Sequence, residues 1–172
     1  MKKAVFFDRD GTINVDRHYV YQIEDFKIFP DAPKILSELR RRGYLLILIT
    51  NQSGIARGYF TVRQMQELHQ YMQNELSRWN AQFDDILFCP HYPKGIISKF
   101  AVDCKCRKPG SLLFEQAVKK YGIQPEASVA VGDKDRDLIP AKKLGMKCIK
   151  ISSEKSGEWI ICPEIKDLMK YI

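Results

Sequence analysis

The sequence predicts an α/β fold: a parallel sheet with helices on both faces, carried as one domain over residues 1–172. Short apolar runs alternate with longer amphipathic stretches, the order that strands and crossover helices of a parallel sheet require. The runs are apolar throughout, as strands buried on both faces are. A chain of this length can also bury one substantial core without staples. Hydrophobic residues at 45% and charged residues at 28% match ordinary globular usage and argue against disorder.

Strands are expected at residues 4–7, 45–49, 86–88, 129–131 and 148–151. Between them the helices have readable ends. Asp31 can cap a helix over 31–42 that carries Ile35, Leu36 and Leu39 on one face and closes at Gly43. Thr61 and Gln64 form a capping-box pattern. The stripe Met65, Leu68, Met72, Leu76 and Trp79 that follows has the spacing of a core-facing helix. Two further helices are expected over 111–121 and 136–144, ending at Gly122 and Gly145, and a last one after Pro163.

The formal net charge of +7 raises nucleic-acid binding, but the basic residues are scattered. The run Arg40-Arg41-Arg42 suits a helix C-terminus, where cations face the negative end of the dipole. A small anionic substrate is the expected partner, with no nucleic acid and no membrane. The apolar run Ala4 to Phe7 is too short for a signal peptide or a membrane span, so a cytoplasmic protein is expected. Nothing demands more than a monomer. Five cysteines, an odd number, argue against a disulfide framework.

Four segments carry chemistry, and Asp8, Thr50, Cys89 and Asp133 each stand at the carboxyl end of a different expected strand. In open parallel sheets that edge is where ligands bind. In Asp8-Arg9-Asp10-Gly11-Thr12 two carboxylates one residue apart can face one pocket, and a metal held between them would screen an incoming phosphate. One acid can attack phosphorus while the other gives a proton to the leaving oxygen. Thr50-Asn51-Gln52-Ser53-Gly54 offers a hydroxyl and free backbone amides to phosphate oxygens. Arg107-Lys108-Pro109 supplies a fixed cation. Gly132-Asp133-Lys134-Asp135-Arg136-Asp137 places three acids within five residues, suited to completing an oxygen-ligand Mg²⁺ site.

A fifth constellation is Cys89-Pro90-His91 with Cys104-Lys105-Cys106 twelve residues further on. Three thiolates and an imidazole make a closed tetrahedral Zn²⁺ set, hence a structural ion that clips the loop 89–106. Because Cys106 directly precedes Arg107-Lys108, the clip would also fix that lysine. Cys148 and Cys162 have no evident partner and read as buried thiols.

In order and spacing these segments resemble the haloacid dehalogenase superfamily of phosphatases. The resemblance runs from Asp8 to Asp137 and implies a Rossmann-like domain. It implies Asp8 as nucleophile, Asp10 as general acid and base, Thr50 and Lys108 as phosphoryl holders, and Asp8, Asp10 and Asp133 around Mg²⁺. Only 39 residues separate Asp10 from Thr50, and the segment from Thr50 to Lys108 is also taken up, so no cap domain is expected. Over nearly the whole length the chain is similar to the D-glycero-D-manno-heptose 1,7-bisphosphate 7-phosphatases, which act in synthesis of activated heptose for lipopolysaccharide. That likeness rests on Asp8 to Asn14, Thr50 to Gly58 and Cys89 to Pro109. It implies substrate contacts from Asp16, Arg17, His18 and Tyr19, from Thr50, Asn51, Gln52 and Ser53, and from Arg107, Lys108 and Lys134. Tyr92 departs from relatives that often carry a second histidine there. The alternatives are a histidinol-phosphate phosphatase, a polynucleotide 3′-phosphatase and a zinc-clipped interaction module without catalysis.

Overall fold

A computed structural model of the chain describes residues 2–154 and 157–172. Its strands are β1 (Lys3–Phe7), β2 (Tyr44–Asn51), β3 (Asp85–Cys89), β4 (Val129–Gly132), β5 (Lys147–Ile151) and β6 (Ile160–Cys162). They form one sheet in the order β3-β2-β1-β4-β5-β6, with every neighbouring pair parallel. The helices are α1 (Ala32–Arg41), α2 (Val62–Ser77), α3 (Leu112–Tyr121) and α4 (Asp135–Lys143).

Side chains alternate along each strand, so uniformly apolar strands feed two cores. Val5 and Phe7 of β1, Leu46 and Leu48 of β2, and Val129 and Val131 of β4 meet Leu36 and Leu39 of α1 and Leu68, Met72 and Leu76 of α2. Ala4, Phe6, Ile47, Ile49 and Ala130 face the other way, against Leu113, Phe114 and Ala117 of α3 and Leu138 and Ala141 of α4. Each fully buried leucine, isoleucine or phenylalanine contributes about 1.5–3 kcal/mol. Both faces of the sheet are thereby covered.

The chain leaves β1 toward β2 and β3, then returns to β4 on the other side of β1. The strand order therefore reverses beside β1, and the carboxyl ends of β1 and β4 flank the resulting crevice. Asp8 directly follows β1 and Asp133 directly follows β4.

The five expected strands are present, and the capping box on α2 forms. Thr61 Oγ1 accepts from Gln64 N–H at 3.2 Å, and Gln64 Oε1 accepts from Thr61 N–H at 2.9 Å. Asp31 sits at the N-cap of α1 but makes no side-chain cap bond. Arg41 and Arg42 at the end of α1 both pair with Glu38. Three expectations are corrected. Trp79 does not continue the buried stripe: α2 ends at Ser77, and Trp79 is 56% exposed. The segment after Pro163 is a 3₁₀ turn, Ile165–Lys170, rather than an α-helix. A sixth strand, β6, pairs with β5 at the sheet edge.

Candidate active site

Lys108 anchors the floor of the crevice. Its ammonium donates to Asp8 Oδ1 at 2.7 Å and to Ile49 O at 2.6 Å, and pairs with Asp137 Oδ1 at 2.8 Å. The side chain is almost wholly buried. Asn51, last residue of β2, fixes the lysine's backbone, donating from Nδ2 to Lys108 O and accepting from Lys108 N–H. The Lys108–Pro109 bond is cis. Burial opposes the ammonium charge, but the Asp137 and Asp8 carboxylates outweigh it and hold the lysine pKa above its ordinary value.

Asp8 faces the opposite balance. Desolvation, joined by the nearby Asp137 charge, pushes its carboxyl up to about 7 despite the attraction of Lys108. A cation beside it would favour the charged form again. Carboxylate oxygens of Asp8, Asp133 and Asp137 lie within 4.8 Å of one another. Asp133 Oδ2 pairs with Lys134, while Asp133 Oδ1 is buried without a hydrogen-bond partner among the described residues. Burial raises the Asp133 pKa as well. A divalent cation fits this set: hard oxygen donors, few carboxylates, and an oxygen with nothing else to bind. Gly11 leaves the space open. At φ +83° it takes a conformation that side chains disfavour, and a Cβ there would come 2.6 Å from Asp133 Oδ2.

The carboxylate of Asp10 is not in that acidic group. It is turned to Arg9, which donates from Nε at 3.2 Å and from Nη2 at 3.0 Å, and to Asn14 Nδ2 at 3.0 Å. Gln52 Nε2 joins it at 3.3 Å and also donates to Thr50 Oγ1 at 2.8 Å. Arg9 is fully buried, with Nη1 3.1 Å from His69 Nε2 and Nη2 on Val20 O. Burial first, and Arg9 second, lower the His69 pKa to about 3, so this histidine is neutral and accepts from the arginine.

Above this floor opens a cavity of about 280 Å³ lined by Asp10, Asp16, His18, Tyr19, Asn51, Gln52, Ser53, Arg57, Arg107 and Arg136. Seven of the residues named from sequence as substrate contacts are on this wall or at its mouth: Asp16, His18, Tyr19, Asn51, Gln52, Ser53 and Arg107. Arg17 is exposed and outside the lining, and Lys134 is held on Asp133. Thr50 and Lys108 lie beneath, buried. Of the three acids expected to complete an Mg²⁺ site over 133–137, Asp133 and Asp137 reach the floor, whereas Asp135 pairs with Lys150; no role follows from the sequence for Arg57, Arg136 or the Arg9–His69 pair.

The zinc set converges too. Cys89, His91, Cys104 and Cys106 bring their ligand atoms within 4.8 Å of one another. Sγ to Sγ distances are 3.2 Å (Cys89–Cys106), 3.3 Å (Cys104–Cys106) and 3.6 Å (Cys89–Cys104), with His91 Nδ1 3.2 Å from Cys106 Sγ. A tetrahedral Zn²⁺ with sulfur ligands at about 2.3 Å places them about 3.8 Å apart, close to the observed separations, so the four donors fit one ion.

A haloacid dehalogenase-like hydrolase model matches residues 13–145. The chain belongs to the haloacid dehalogenase-like hydrolases. Among relatives of this hydrolase, the D-glycero-beta-D-manno-heptose-1,7-bisphosphate 7-phosphatase of Haemophilus ducreyi is 42% identical over 99% of this chain and 98% of its own. A D-glycero-alpha-D-manno-heptose-1,7-bisphosphate 7-phosphatase of Photorhabdus laumondii is 43% identical over 84% of this chain and 79% of its own. The D,D-heptose 1,7-bisphosphate phosphatase of B. bronchiseptica, solved with magnesium and phosphate, superimposes with a TM-score of 0.85 at 25% identity. That match covers 98% of this chain and 97% of the other. Among the described residues no helix is long and apolar enough to cross a membrane.

Proposed function

We propose that this hydrolase removes the 7-phosphate of a D-glycero-D-manno-heptose 1,7-bisphosphate, through an aspartyl-phosphate on Asp8. The carrying observation is the pairing of a buried nucleophile site with a cation-rimmed cavity. Asp8 and Lys108 meet at the floor, and Arg57, Arg107 and Arg136 stand on the wall above. A substrate with a phosphate at each end fits that division. The near-full-length likeness to enzymes named for this substrate supports it.

An Asp8 oxygen attacks phosphorus in line, and the bond from phosphorus to the sugar oxygen breaks. Asp10, carried by its own arm beside the floor, donates a proton to that oxygen. It then takes a proton from the water that attacks the phosphorus of the aspartyl-phosphate, releasing phosphate and restoring Asp8. Lys108 and Thr50 hold the phosphoryl oxygens during both steps. Arg9, held by His69, Asn14 and Gln52 aim the Asp10 carboxylate toward the leaving group. Mg²⁺ held by Asp8, Asp133 and Asp137 would supply charge neutralisation at the phosphoryl group. Zn²⁺ on Cys89, His91, Cys104 and Cys106 would order the loop that delivers Arg107 and Lys108. The protein would act as a cytoplasmic monomer in the synthesis of ADP- or GDP-activated heptose for lipopolysaccharide.

The test is phosphate release from a panel of heptose 1,7-bisphosphate, histidinol phosphate and a 3′-phosphorylated oligonucleotide. The bisphosphate should be turned over with far higher kcat/KM than the other two. Preference for either alternative would replace this reading.

A further inference from the structure

The cavity wall holds an arginine that the chemistry at the floor does not use. Arg57 lies on the loop after β2, and its guanidinium carbon sits 3.8 Å from the centre of the Tyr92 ring. Its Nε is buried and has no hydrogen-bond partner among the described residues, although the residue lines the cavity. Arg107, from the far end of the cysteine loop, has its guanidinium carbon 5.6 Å from the same ring. One aromatic ring therefore carries two cations. Like charges gathered on one wall repel unless an anion lies between them, and an arginine Nε shut from water loses hydration that only an acceptor can restore.

The two arms are also fastened together. Ala56 O, next to Arg57, accepts from both Ile96 N–H at 2.8 Å and Ile97 N–H at 3.0 Å, tying its loop to the loop that holds Tyr92. Gly95 permits that approach, since a Cβ there would meet Ala56 O at 2.6 Å. Tyr92 N–H is bonded to Phe100 O across the same loop. Arg57 and Arg107 thus reach the cavity from segments 50 residues apart in sequence, yet their spacing is set by one ring and one backbone junction.

From this we infer that Arg57 is a second specificity-determining residue, gripping the non-reacting phosphate jointly with Arg107, and that Tyr92 is the positioning residue that sets their separation. The assignment rests on the bisphosphate reading of the site. Arg57 lies against the face of Tyr92 and bonds to its side chain, with Nε left unpaired among the described residues, and two forks share one phosphate better than one.

The experiment measures kcat/KM for heptose 1,7-bisphosphate and for heptose 7-monophosphate, at fixed Mg²⁺, in wild type, Arg57→Ala, Arg107→Ala and the double variant. The bisphosphate-to-monophosphate ratio should fall by about tenfold or more in Arg57→Ala, since one charge-assisted contact corresponds to at least that factor. If both arginines hold one phosphate, the double variant should lose less than the product of the single losses. Tyr92→Phe, which keeps the ring and loses only the hydroxyl contact to Arg57, should lower the ratio less than Tyr92→Leu, which should lower it in the same direction as Arg57→Ala. A wild-type preference that survives Arg57→Ala overturns the inference and leaves the bisphosphate reading intact. Independent, multiplicative losses overturn the shared grip. A wild-type enzyme indifferent to the second phosphate overturns both. Circular dichroism on each variant separates these outcomes from a folding failure.

Discussion

Asp8 sits where electrostatics and catalysis pull in opposite directions. Burial and Asp137 disfavour its charge, and Lys108 offsets them only in part. Its folded pKa, about 7, is above the ordinary 3.8. The protonated form is therefore the one that the fold favours. For this group, stability is fully present below about 3.8 and is lost as pH rises to about 7. Asp8→Asn removes the charge. Measured with a chelator present, it should gain stability over wild type as pH climbs from about 4 to about 7, then hold a constant lead of about 1–4 kcal/mol. Melting curves across that range are the check, and a lead independent of pH would sink the argument. The same variant should show no turnover, because an amide cannot attack phosphorus. Asp137→Asn tests one of the three acids that the sequence offers to the metal. It should raise the Mg²⁺ concentration needed for half-activation by about tenfold, one charged ligand contributing roughly 1.5–3 kcal/mol. It should also destabilise the fold by weakening Lys108. A Mg²⁺ titration unchanged from wild type would remove Asp137 from the metal set. What the sequence leaves open is which of the three acids at 133, 135 and 137 face the floor. Asp137 Oδ2 accepts from Lys134 N–H at 3.1 Å, so Asp137 does the ordinary work of a first-turn acid on α4. Only the fold shows that its other oxygen reaches Lys108. Asp8 and Asp133 were legible because each directly follows an apolar strand. Arg57 and Arg136 were not, because a lone arginine in a loop or first turn carries no pattern.

At the scale of elements, the strands could be read and their margins could not. Apolar runs of three to five residues mark β1, β2 and β4 because both faces are buried. β6 has three residues at an exposed edge, where nothing forces a pattern. The exposed Trp79 shows the same limit from the other side: a helical period continued on paper past the residue where the chain turns away. The cysteine loop is a clearer case, since ligand chemistry does not depend on secondary structure. Between β3 and α3 this loop has only a single 3₁₀ turn, Ser98–Phe100, so its order depends on its clip. Protein prepared without added metal should contain one zinc per chain by elemental analysis. Cys104→Ser should lose that zinc and melt at a lower temperature. Activity should fall with it, since Cys106 is bonded through the chain to Arg107 and Lys108. Metal-free protein with wild-type melting and full activity would dismiss the clip.

For the molecule as a whole, the net charge of +7 matters through where its cations stand. Many basic side chains are spent in pairs: Arg41 and Arg42 on Glu38, Arg63 on Glu67, Lys120 on Asp85 and Lys150 on Asp135. Arg57, Arg107 and Arg136 are gathered instead at one cavity, with Asp10 and Asp16 the acids on the same wall. A basic protein with such a mouth attracts a polyanion before contact, and the cavity walls focus the field toward the floor. The range of that attraction is set by salt: about 30 Å at 0.01 M ionic strength and about 8 Å at 0.15 M. Encounter should therefore weaken with added salt, while chemistry at the buried floor, already shielded from ions, should not. We expect kcat/KM for the bisphosphate to drop by about three- to tenfold between those ionic strengths, with kcat nearly constant. The 7-monophosphate, with half the phosphate charge, should show a shallower slope. Removing the charge of Arg57 or Arg107 should flatten the bisphosphate slope toward that of the monophosphate, whereas a charge change on the far surface, such as Lys119→Gln on α3, should leave it as it was. Steady-state kinetics at constant Mg²⁺ over a sodium chloride series gives all four slopes. Equal slopes for the two substrates would mean that the mouth does not read the second phosphate at a distance, and that any preference between them arises only from contacts made after docking.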